Sequence, residues 1–380
     1  MRKSLNPKQA SLTLLIVCCI LVVAAIGLHN KHYWPFKRAD TTTAANALNE
    51  VADRVAKLKQ AGDTPTLEQL VDAFQPLELI DVHNHDASGS RYFSMLEPWK
   101  RLHINKVVLF GDVSEPSAIG TDAVAWSAYQ SSPEQFLPFF SGFDLHDEGS
   151  LDVIRNNLEQ GYFGLGEIAA ASTFSPVVSR VAWKASDPMD GFLPDIYELL
   201  ATYKAPILLH IDPPNGYPIL KLEEALEAYP NTTFIFGHMN AYSSPEEIDR
   251  LLGKHSNLYA DFFAGFSVYN PEGGGHPENF IPIMRKYPKR FMLSTDSGYG
   301  IGSEEQAIDA MYRILYLLDD PELARKIAHD NMMELIQAQP ATMTQLAAIR
   351  KLVADSGEIY NYDKMSKLEA GEILANAGKR

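Results

Sequence analysis

Six residues of metal-ligating type recur along the chain, each at the end of a short apolar run. They are His83 and His85 in LELIDVHNH, Glu167 in GYFGLGE, His210 in APILLH, His238 in TTFIFGH and Asp296 in RFMLSTD. A divalent cation needs several nitrogen and oxygen donors converging on one point, and imidazole and carboxylate supply them. His83 and His85 are two apart, so on a strand both point to one face. Each residue also has a plainer reading. Two histidines at this spacing arise by chance, a histidine closing an apolar strand can be a satisfied core residue, Asp296 can cap the turn after it, and Glu167 can bond loop amides. Six such residues at successive strand ends point together to a metal site.

The elements that must position them follow from hydrophobic patterning. Eight short apolar runs read as strands: Glu78–His83, Lys106–Phe110, Phe136–Phe143, Phe163–Glu167, Pro206–His210, Thr233–His238, Asn257–Asp261 and Phe291–Asp296. Helical patterns separate most of them, such as LDVIRNNLEQ, PDIYELLATYK and PEEIDRLLGKHS. Alternating β and α units imply a parallel sheet, and eight units imply an α/β protein with a closed (β/α)8 TIM barrel. Barrel enzymes place their sites at the C-terminal ends of the strands, where these residues fall. A doubly wound open sheet is the alternative, but no GxGxxG loop supports it.

These motifs resemble the amidohydrolase superfamily of metal-dependent barrels. DVHNH is similar to its first-strand HxH signature, ILLH to its fifth-strand histidine, FGH to its sixth-strand histidine and LSTDSG to its eighth-strand aspartate. YELLATYKAPILLH, YPKRFMLSTDSGYG and DNMMELI resemble the amidohydrolase-related branch that includes aminocarboxymuconate-semialdehyde decarboxylase. The resemblance spans roughly residues 78–338. It implies that His83, His85, His210 and Asp296 hold a catalytic metal, with Zn²⁺ first in expectation. It gives His238 a second metal or the polarisation of substrate. Glu167 stands where many dinuclear members carry a carboxylated lysine, and resembles members in which a glutamate bridges two ions. One ion and two ions both stay open.

The chemistry expected of this set is hydrolysis. Bound Zn²⁺ lowers the pKa of its water to about 7, and the resulting hydroxide can attack an ester, lactone or amide carbonyl. Asp296 can accept the water's proton and pass it to the leaving group, while His238 or the metal steadies the oxyanion. Metal-dependent decarboxylation of a small acid is the alternative, followed by a non-catalytic metal-binding barrel and a nuclease. Arg91 could clamp a substrate carboxylate, or be a surface arginine. Trp183, Lys184, Tyr269 and His276 read as loop residues, and His103, His146, His255 and His329 as structural.

Charge and flanks bound the partners. The 380 residues carry a net charge of −15, but residues 1–38 hold six basic residues and no acid, which leaves −21 for the rest. So acidic a body is a poor partner for phosphate backbones, so a small-molecule substrate is expected and a nucleic acid is not. Leu12–Leu28 is an uncharged run of 17 residues behind a basic start, followed by Tyr33 and Trp34. It reads as a membrane anchor that leaves the catalytic body outside the cytoplasm. A cleaved signal with Val23-Ala24-Ala25 at the cleavage site, and a secreted body, is the other reading. Both cysteines, Cys18 and Cys19, lie in that run, so the body has no disulfide and no thiolate nucleophile. The resulting domains are 1–38 (anchor or signal), 39–76 (linker and helices, with Thr66 as a cap and Gly62 as a stop), 77–338 (barrel) and 339–380 (helical tail).

Overall fold

A computed structural model describes residues 41–212, 216–354 and 360–378. The chain divides into Met1–Ala44, almost wholly outside the described residues, and one compact unit, Ala45–Arg380. The Leu12–Leu28 run expected to anchor the protein also lies outside them. Among the described residues, no helix is long and apolar enough to cross a membrane.

Two helices precede the barrel. Helix α1 (Thr41–Ala61) buries Val51 and Val55, four apart and therefore on one face, and stops where Gly62 takes a φ of +80°. Helix α2 (Leu67–Phe74) begins with a capping box. The Thr66 side chain accepts from the Gln69 amide, and the Gln69 side chain accepts from the Thr66 amide.

Eight strands follow: β1 (Leu79–Asn84), β2 (Ile104–Leu109), β3 (Phe136–Phe140), β4 (Gly164–Ala171), β5 (Ile207–Ile211), β6 (Phe234–Phe236), β7 (Leu258–Phe263) and β8 (Phe291–Ser294). Consecutive strands pair in parallel, in the order β1 to β8. Six of them are buried at every position, which is why they read as continuous apolar runs rather than as alternation. Helices that follow the strands cover the sheet, among them α3 (Tyr92–Arg101) after β1, α4 (Ala118–Ser131) after β2 and α5 (Glu304–Leu318) after β8.

Side chains span the seam between β8 and β1. Asp81 accepts from the Thr295 amide at 2.9 Å and from the Thr295 hydroxyl, and the His85 amide donates to Ser297 Oγ at 2.8 Å. Those bonds hold the HxH strand against the residue before and the residue after Asp296. The tail forms two capped helices, Met343–Leu352 and Lys367–Ala377. Buried Lys367 donates from Nζ to the Tyr162 carbonyl at 3.0 Å, tying the tail to the segment before β4.

Several expected boundaries move. Glu167 does not end β4 but lies inside it, because the strand continues through Ile168 and three small alanines. His238 and Asp296 lie just past β6 and β8, with φ values of +35° and +43°. Both take the left-handed conformation that costs a residue with a Cβ, and it turns each side chain back over the barrel.

Candidate metal centre

All six residues converge at the C-terminal mouth of the barrel, and they form two groups. His83, His85 and Asp296 are one, and Glu167, His210 and His238 the other, with the candidate ligand atoms of each group within 4.8 Å of one another. In the first, His83 Nε2 is 3.0 Å from His85 Nε2, and Asp296 Oδ1 is 3.6 and 3.3 Å from the two nitrogens. In the second, Glu167 Oε1 is 2.7 Å from His210 Nδ1 and 3.0 Å from His238 Nε2, and the two nitrogens are 3.1 Å apart. Glu167 joins the groups. Its other oxygen, Oε2, is 3.4 Å from His85 Nε2 and 3.9 Å from His83 Nε2.

The outward nitrogens decide what the inward ones offer. His85 Nδ1 is 2.7 Å from the Gly111 carbonyl, His83 Nδ1 is 2.7 Å from Asp261 Oδ2, and His210 Nε2 is 2.6 Å from Asp212 Oδ2. A carbonyl or carboxylate oxygen accepts, so each outward nitrogen carries the hydrogen. In the neutral rings, lone pairs then face inward, at one another and at carboxylate oxygens. A cation between them resolves that repulsion. A tetrahedral ion with bonds of about 2.0–2.2 Å has ligand edges of about 3.3–3.6 Å; the first group's separations of 3.0–3.6 Å are near these, and the second group's 2.7–3.1 Å are tighter. Histidines that bind metals characteristically donate their other ring N–H to such partners. The two groups, joined by Glu167, have the donor chemistry of a divalent-metal site.

The electrostatics agree. Burial works against charge on His83, but Asp296 and Asp261 outweigh it and raise its pKa. His85 is likewise held well above the usual range, its burial outweighed by Asp296 and Glu167. Burial also opposes charge on His210, yet Glu167 and Asp212 push it up to about 9. Glu167 goes the other way. Burial would raise it, and His210, His238 and His85 hold it well below the carboxylate range. The buried cluster demands positive charge, which protons or metal ions can provide.

The resemblance implied that His83, His85, His210 and Asp296 share one ion. The structure places the His210 side chain beside Glu167 and His238, with Nε2 on Asp212 and Nδ1 facing Glu167. Sequence reading missed Asp212, Asp261 and Asp81. An acid inside or just past an apolar strand was the available signal for all three. Arg91 is largely exposed at the pocket rim, 3.4 Å from buried Asp86. Lys184 braces its loop by donating to the Ser172 and Ser179 carbonyls. His255 and His329 pair with Glu223 and Glu78, away from the cluster.

Above the two groups lies a pocket of about 740 Å³, well within the usual range for small-molecule sites. Five of the six residues line it, and His83 lies beneath, fully buried.

No family model matches the chain, and no curated protein matches it. Solved structures do. An uncharacterized TIM-barrel protein from Bordetella bronchiseptica matches with a TM-score of 0.51 at 16% identity, over 68% of this chain and 98% of its own. A TatD homolog from Escherichia coli matches with a TM-score of 0.47 at 16% identity, over 68% and 98%. A dihydroxybenzoic acid decarboxylase from Polaromonas, solved with manganese and the inhibitor 2-nitroresorcinol, matches at 0.44 and 13% identity, over 68% and 96%. At 16% identity the Bordetella match shows the fold alone, a TIM barrel.

Proposed function

We propose that this chain is a metal-dependent hydrolase of the amidohydrolase superfamily, acting on an ester, lactone or amide carbonyl of a small substrate. The observation that carries this reading is the pair of three-residue groups sharing Glu167, with inward lone pairs set by Asp261, Gly111 and Asp212. A divalent metal bound there, with Zn²⁺ first in expectation, would supply an activated water and polarise the carbonyl.

The chain's own residues do the rest. Asp296 lines the pocket beside His85 and can accept the water's proton and return it to the leaving group. His238 lines the same pocket and can steady charge on the carbonyl oxygen. Asp261 and Asp212 hold His83 and His210 in one tautomer. By its sequence, the Leu12–Leu28 run would keep this body at a membrane, outside the cytoplasm, and cell fractionation tests that.

The central test is metal analysis of the purified chain, coupled to assays on esters, lactones, amides and β-keto acids. The proposal expects bound divalent metal and hydrolysis that a chelator abolishes. Release of carbon dioxide without hydrolysis would replace it with a decarboxylase, and a metal-loaded chain inert on every class would leave a binding barrel.

A further inference from the structure

Beyond the reacting bond, we infer that the site takes a substrate whose distal part is uncharged and apolar, seated on a valine wall of the same pocket. The wall is Val113, from the loop after β2, with Pro176, Val177, Val178 and Val181 from the segment after β4. Val113, Val178 and Val181 form a small apolar cluster of their own with Ala169 of β4, separate from the main core. Val177 stands 54% exposed at the pocket. Exposed valine facing a cavity is surface that a ligand can cover with gain.

The wall is fixed relative to the metal residues. Asp212, which orients His210, also accepts from the backbone amides of Thr173, Phe174 and Ser175 and from the Ser172 hydroxyl. One carboxylate therefore sets both a ligand and the start of the segment that carries four wall residues. Lys184 ties off the same segment through Ser172 and Ser179.

Charge around the pocket points the same way. Apart from the metal residues, its ionisable lining is Arg91 against Asp112, Glu115, Glu304 and Glu305. Arg91 already faces Asp86, and Glu304, its carboxyl pushed up to about 9, is uncharged at neutral pH, which leaves Asp112, Glu115 and Glu305 as the acids. A second negative group far from the reacting bond would meet more acid than base. An alkyl or aryl group would meet valine. The inference deepens the hydrolase reading for the nature of the reacting bond, but the wall stands without it.

Straight-chain alkanehydroxamates of four to eight carbons test this by calorimetry, with Zn²⁺-loaded and metal-free full-length chain. Burial of each added methylene should tighten binding roughly threefold to fourfold, with the same slope in both forms, and a terminal carboxylate should cancel the gain. Val177→Asp should flatten the slope, and thermal melting shows whether that variant is folded. Val177→Ser, less disruptive, should lower it partly. A flat series, or terminal carboxylates that bind as tightly as the alkyl probes, overturns the inference. A steep series in a chain that hydrolyses nothing keeps the wall and removes the hydrolase.

Discussion

Asp212 Oδ2 lies 2.6 Å from His210 Nε2, and the same carboxylate gathers the amides of Thr173, Phe174 and Ser175. Burial would raise its pKa, but His210 and the loop donors hold it far below the carboxylate range. Asp212 is thus a joint between a metal-facing histidine and the loop that opens onto the pocket.

Asp212→Asn leaves one acceptor oxygen but puts an NH₂ group against either the His210 N–H or the loop amides. Metal affinity should fall about 10- to 100-fold, as is typical when such a partner is lost. Hydrogen exchange should also speed up at residues 173–175, while the barrel strands keep their protection. Unchanged affinity and unchanged exchange would show that the carboxylate is incidental.

His83→Ala with His85→Ala removes two donors of one group and leaves Glu167, His210 and His238 in place. The expected metal content is two ions per wild-type chain and one in the double variant, read by elemental analysis after dialysis. A variant that still holds two ions would refute the division into two groups. Complete loss of metal would mean that the second group cannot bind without the first.

The pH dependence of stability has a contributor outside the metal residues. Burial, then the neighbouring charge of Asp86, pushes the Glu304 carboxyl from 4.5 up to about 9. The folded chain keeps this proton to about pH 9, whereas the unfolded chain loses it near 4.5. Between those values the folded state binds more protons, so stability from this group falls as pH rises and is level on either side. Asn84 and Trp99 donate to Glu304 Oε1 at 3.0 and 2.8 Å, and a glutamine keeps that acceptor without titrating. Glu304→Gln should therefore match wild type in thermal melting below pH 4.5 and gain on it steadily toward pH 9. Parallel melting profiles would rule this group out.

The barrel was legible because buried parallel strands must be apolar along their length, and eight such runs alternate with helical patterns. The six metal residues were legible because a polar side chain at the end of such a run needs a reason. The division into groups was not, because it depends on the His210 side chain lying beside Glu167 and His238. Its Nε2 partner, Asp212, is two residues away in sequence but identifiable as a partner only once the strand ends and the loop folds back. The extent of β4 was misjudged for a related reason. Alanines at 169–171 carry little strand preference, yet pairing of Ile168, Ala169 and Ala171 with Leu209, His210 and Ile211 of β5 extends the strand past Glu167.

Asp296 carries the most direct test of the chemistry. It lies past β8 with a φ of +43°, with Thr295 before it bonded to Asp81 and Ser297 after it accepting from the His85 amide. The backbone on both sides is thereby anchored to β1, so an isosteric change should not move it. Asp296→Asn keeps the shape and removes the basic oxygen. If Asp296 moves the water's proton, turnover should fall by about 10²–10⁴-fold, the usual worth of a placed general base. Because Asp296 is also a candidate ligand, the assay needs saturating metal, with content measured on the same sample. Loss of activity at full metal occupancy assigns the proton transfer to Asp296. Near-normal turnover at full occupancy would move that role to another group at the pocket, His238 or Glu167.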